Sequence, residues 1–312
     1  MSVQRGQSGA LAAVRVPTAQ TPRIWAVAAA AVVLAVAAVL GTQWFLEYET
    51  RARLDAVAAD LPAEAELRYD DVAVDLLGRR THVYGVYFRP DGTAAPLQAR
   101  EVVVHEYEEH QGRPVAVRLE ALGLRRDLQG VETDRARTLR QLGYSALEGH
   151  FELAFRFDPE RQTLRMPLLV VDFTDLGRLE AMVALDGVSG EAELSPTEQR
   201  DRLFSSQLVE ARISFRDDSL LRRVIEREAE ERGEPPEAVR RALQQMLASR
   251  LDPQQPFQAR LLEALGRFID NPGRLELSAR PAEPMSVARV VSIALVDGRR
   301  LPGALNLQVS AQ

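Results

Sequence analysis

Between Phe151 and Asp158 the chain alternates: Phe151, Leu153, Phe155 and Phe157 on one side, Glu152, Arg156 and Asp158 mainly on the other. A period of two predicts a strand with one buried face. Asp158-Pro159 starts a turn, since proline pre-sets its backbone angle, and the chain returns through Thr163–Asp172. It turns again through Arg178–Asp186, where Leu179, Ala181, Val183 and Leu185 alternate. These segments predict an antiparallel meander. Leu67–Leu77, Thr81–Arg89, Ala99–Tyr107 and Pro114–Glu120 fit the same scheme less cleanly, separated by Gly78, Pro90-Asp91-Gly92 and Gln111-Gly112.

The period changes near residue 195. Ser195-Pro196-Thr197-Glu198 opens a helix, with serine placed to cap and proline in the first turn, where its missing N–H does no harm. After a strand at Val209–Arg216, three helices follow at Ser219–Arg232, Pro236–Leu251 and Pro256–Asp270, each with one apolar stripe. A half-buried sheet needs covering, and covering it is the expected task of these stripes. Asn271-Pro272-Gly273 ends the last helix. Strands are expected at Arg274–Arg280 and Ala304–Ser310, around a segment, Met285–Val296, whose pattern fits neither period.

At the other end, Ile24–Leu40 is a run of 17 apolar residues, and Gly41, Thr42 and Gln43 precede Trp44, Phe45 and Leu46. It predicts one membrane span over 24–46. Trp25 and Trp44 lie roughly 28 Å apart at a helical rise of ~1.5 Å per residue, and are the expected membrane-interface anchors. Residues 1–46 contain Arg5, Arg15 and Arg23 and no acid, so the N-terminus is expected in the cytoplasm and the body in the periplasm. Ala35-Val36-Ala37 offers the competing reading, a cleaved signal peptide, but it sits inside the apolar run. The expected organisation is a cytoplasmic tail (1–23), the anchor (24–46), a helical stalk (47–63) and a β-rich domain (64–312) with a helical segment at 195–270. The expected class is α+β: an N-terminal transmembrane helix followed by a large curved antiparallel sheet with several covering helices.

Composition narrows the chemistry. Of the chain's 312 residues none is cysteine, and all 39 Lys+Arg are arginine. Thiolate nucleophiles, cysteine-ligated metals, Schiff-base lysines and the P-loop lysine are thereby absent. A net charge of −6 argues against nucleic acid. Four histidines remain, His82, His105, His110 and His150. His105-Glu106 and His110 imitate HExxH at the wrong spacing, five instead of four, after the strand-like Val102-Val103-Val104, so they are expected to be solvated strand-end residues. Gly187-Val188-Ser189-Gly190 is no nucleophile elbow. Asp217-Asp218 falls where a helix N-terminus wants a cap. No catalytic residue, cofactor or metal site is expected.

The layout of tail, span and β-rich body, with the stretches Gly149–Ser189, Ile213–Leu247 and Phe268–Pro281, resembles bacterial inner-membrane envelope proteins of uncharacterised function and is similar to the AsmA-like group. That resemblance implies a curved sheet whose apolar inner face shelters lipid chains, and a role in envelope lipid homeostasis or outer-membrane assembly. Two functions stay open. In one, a groove faced by Phe151, Leu153, Phe155, Phe157, Leu179, Val183 and Leu185 holds phospholipid. In the other, the same residues form a closed core and the protein is a scaffold that binds other envelope proteins. Periodicity is identical for both.

Overall fold

A computed structural model describes residues 55, 64–75, 79–90, 95–111, 113–189 and 196–312. Its centre is a 12-stranded antiparallel sheet. The strands are β1 (Glu66–Arg68), β2 (Asp71–Asp75), β3 (Arg80–Arg89), β4 (Leu97–His110), β5 (Arg113–Asp127), β6 (Ala146–Asp158), β7 (Thr163–Phe173), β8 (Gly177–Asp186), β9 (Gln207–Asp217), β10 (Arg274–Ala279), β11 (Met285–Ser286) and β12 (Gln308–Ala311). From β3 to β10 each strand pairs with the next in sequence. β1 and β2 both pair with the outer side of β3, β11 pairs with β9, and β12 closes the far edge against β10. The helices are α1 (Asp134–Gln141), α2 (Pro196–Ser205), α3 (Leu220–Arg232), α4 (Pro236–Arg250), α5 (Pro256–Asp270), α6 (Val287–Asp297) and a last turn, α7 (Leu301–Ala304).

Strict neighbour pairing follows from the short turns. Where the chain needs more than a hairpin it inserts a helix. The β5–β6 crossing holds α1, whose first turn is capped by Thr133 accepting from the Ala136 N–H at 3.2 Å. The β9–β10 crossing holds α3, α4 and α5. Asp217 caps the start of α3 by accepting from the Leu221 N–H at 2.9 Å, as the sequence suggested for the Asp217-Asp218 pair.

Irregular register bends the sheet. Shifts occur in the β4–β5, β5–β6, β6–β7, β7–β8 and β8–β9 ladders, and each bulge adds local twist. Two show their cause in sequence. Gly123, at φ 62°, stands inside the shift between Ala121 and Leu124, a backbone setting that favours glycine. Pro167 sits in β7 beside shifts on both its neighbours, so its missing N–H costs the ladder little.

Among the described residues there is no transmembrane helix, and the class is corrected accordingly from one with an N-terminal transmembrane helix to a large antiparallel sheet with helices. Residues 24–46, with Trp25 and Trp44, lie outside the described residues, as does nearly all of the expected stalk. Among the described residues no helix is long and apolar enough to cross a membrane. The longest, α4 and α5, have 15 residues, roughly 22 Å at ~1.5 Å per residue, short of a bilayer core of ~30 Å. Both also carry charged faces.

Other expectations shift locally. Leu67–Leu77 is not one strand: β1 and β2 pair with different parts of β3, and between them the Asp70 N–H donates to the Tyr84 carbonyl at 2.9 Å. Met285–Val296 is a two-residue strand followed by α6, which Ser286 caps by accepting from the Arg289 N–H at 3.2 Å. The last strand begins at Gln308, because Leu301–Ala304 turns helically and Asn306 takes φ 47°.

Candidate functional site

Register shows how one face of the sheet is built. Val72, Val83, Val102, Ala121, Phe151, Val171, Leu179, Phe215, Leu275 and Ala311 stand opposite one another in a row that crosses from β2 to β12. Two residues along each strand a second row follows: Val74, Thr81, Val104, Leu119, Leu153, Leu169, Ala181, Ile213, Leu277 and Val309. Thr81 is the single polar member. Toward the other strand ends, Met166 faces Val183, and Phe157, Leu164, Leu185, Leu208 and Met285 form a further apolar row. Phe155 stands opposite the Met166-Pro167 bulge. All seven residues proposed from sequence for a groove or core therefore share one face.

Burial divides that face. On β2–β6 the side chains form one buried cluster, in which Leu119 and Val117 are each 1% exposed, and Phe151 and Leu153 belong to it while Phe155, Met166, Leu169 and Val171 pack against it. On β8–β12 burial gives way. α5 lies over β10 and β12, with Phe268 meeting Phe215 edge-on at 6.4 Å between ring centroids. One row further, Ile213 is 44% and Leu277 37% exposed. Leu169, Ala181 and Val309 beside them are half-buried. The result is an apolar strip open to solvent along β7–β12, beside α5. Leu179 and Val183 are half-buried at its border and Leu185 is buried.

The helices cover less of the sheet than their stripes suggested. α3 and α4 bury Ile225, Ala229 and Val239 against each other, with Leu221 and Leu243 alongside. Only α5 is laid extensively on strands. That leaves the strip uncovered, because two of the three stripes are spent on helix–helix packing.

The opposite face is a charged ladder. Arg178 donates from Nε to Glu180 at 2.7 Å and from Nη1 to Asp172 at 3.2 Å, while Arg274 reaches Glu180 at 2.7 Å and Ser214 Oγ at 3.0 Å. The hydrogen bond from Arg178, helped by the charge of Arg274, holds the Glu180 carboxyl below the usual carboxylate range. Burial pushes the Asp217 carboxyl up, against the bond it accepts from Leu221.

Three histidines belong to this face rather than to solvated strand ends. His82 meets Glu101 at 2.6 Å, His105 meets Glu120 at 3.4 Å and His150 meets Asp172 at 4.0 Å. Their rings are half-buried because they stand in mid-sheet; His110 alone is exposed at a strand end. No group of three or more candidate ligands gathers for a metal ion among the described residues. A polar cleft of about 310 Å³ lies between the end of α1 and α3, lined by Gly143, Arg222, Arg223 and Glu226 among others. Its Arg223 is committed to structure: it donates to Ser219 Oγ at 3.0 Å and to the Leu142 carbonyl at 3.1 Å, and its guanidinium lies 4.4 Å from the Tyr144 ring centroid.

Sequence reading missed Ile213 and Leu277 as site residues. Their alternation was visible; their exposure depends on where α5 stops. A family model described as an uncharacterized protein matches residues 170–312, the part of the chain that runs from within β7 through the open strip to the end. No curated protein matches the chain.

Proposed function

We propose that this is a non-catalytic, lipid-handling protein of the bacterial envelope, working on the periplasmic side, which holds phospholipid acyl chains against the open strip of its sheet. One observation carries the proposal. The apolar rows continue to β12, yet Ile213 and Leu277 are left partly exposed. A closed core would bury such residues, and a purely solvated face would carry polar ones, as the opposite face does. Two neighbouring large aliphatic side chains in contact with water cost free energy that an acyl chain laid across them recovers, at ~25 cal/mol per Å² buried. The experiment is native mass spectrometry of the purified full chain. Co-purified phospholipid is expected on the wild type and absent from a folded Ile213→Asp variant. A wild type that carries no lipid favours the scaffold, in which the strip binds another envelope protein.

A further inference from the structure

We infer that α6 lies on the surface of an anionic lipid bilayer with its outward face in the headgroup region. α6 buries none of its residues. Leu295 is 82%, Val296 84% and Val291 38% exposed. Val291 and Leu295 are four residues apart and Ala288, Ser292 and Val296 extend the same side, so the exposed apolar atoms form one stripe along the helix. With 11 residues, roughly 16 Å long, the helix is too short to cross a bilayer and suited to lying along one.

Charge selects the surface. Residues 287–304 contain Arg289, Arg299 and Arg300 against the single Asp297, a local excess of +2 in a chain of net charge −6. Arg289, Arg299 and Arg300 are exposed, and cations beside an apolar stripe fit anionic headgroups. A second copy of the chain is a poorer occupant. A specific dimer buries about 800 Å² on each partner, far more than three aliphatic side chains supply.

Position adds a reason for the contact. α6 follows β11 directly, and Met285 of β11 stands opposite Leu208, in the apolar row of Leu185 and Phe157. The helix is thus placed at the end of the apolar face. The inference is independent of lipid retention by the strip: either can fail while the other holds.

The chain has no cysteine, so a single Val296→Cys in the full chain accepts one environment-sensitive fluorophore without side reactions. Thr174→Cys, exposed in the β7–β8 turn, is the reference site. On vesicles of phosphatidylglycerol and phosphatidylcholine, doxyl-labelled lipid is expected to quench the fluorophore at position 296 several-fold more than at 174. Arg299→Gln with Arg300→Gln, combined with Val296→Cys, should weaken that contact roughly tenfold or more. Equal quenching at the two sites overturns the inference. So does equal contact with pure phosphatidylcholine, or shielding of position 296 that rises with protein concentration in the absence of vesicles.

Discussion

The β2–β6 and β8–β12 parts of the sheet carry the same apolar rows and differ in how far those rows are buried. In the first, Val83, Val102 and Leu119 are sealed in one cluster. In the second, the same rows reach Ile213 and Leu277, and water touches them. The difference teaches that a buried pattern and a binding pattern are written identically along a strand, and that only the packing in three dimensions separates them. The matched family segment, residues 170–312, falls largely on the open part.

Substitutions that probe cover should separate the two parts most strongly. Phe151→Ala, in the closed part at 7% exposure, is expected to cost about 3–5 kcal/mol, whereas Leu277→Ala should cost about 1 kcal/mol or less, because much of its surface is already wet. Denaturant melts of the two variants check this, and equal losses would erase the distinction. Phe155 stands between them: half-buried against the closed cluster, its alanine variant should fall near the low end of the ~3–5 kcal/mol range for such truncations.

Smaller effects sharpen the account of the surrounding elements. Thr133→Ala removes the α1 cap and should cost about 1 kcal/mol, read as a lowered melting temperature with lipid retention unchanged. The charged face should respond to acid. Glu180 titrates below its ordinary 4.5 in the folded state, so its stabilising contribution is present above that value and lost as pH falls through the lowered one. A pH series of melts should therefore show wild type above Glu180→Gln near neutrality, and the two curves meeting in acid. A gap that persists at the lowest pH would mean that the Arg178 and Arg274 contacts do not act through the charge of Glu180.

Much of the fold was legible because strand register leaves little freedom. With a side-chain period of two, Phe151, Leu153, Leu179 and Leu185 had to share a face once the turns were short. The start of α3 was legible too, through Asp217. What was not legible depends on partners distant in sequence. α1 is short and buries only Ala136, so its stripe is invisible and only the Thr133 cap announces it. In α6 the half-buried Val290 and Ile293 lie opposite the exposed stripe of Val291, Leu295 and Val296, so apolar residues fill both sides and mask the helical period. The fate of the helical stripes was hidden for the same reason: α3 and α4 satisfy theirs on each other, a choice no local window records. The histidine pairs with Glu101 and Glu120 cross strands, joining residues far apart in sequence.

The central claim is that lipid lies on the open part of the sheet and nowhere in the closed part. A phospholipid with a photoreactive group near the end of its acyl chain, bound to the full-length protein and activated, reports that location when the modified peptides are mapped by mass spectrometry. Adducts concentrated on Ile213, Leu277 and their neighbours Ala181 and Val309 are the expected result. Adducts spread over the charged face, or none on these strands while lipid is bound elsewhere, would contradict it.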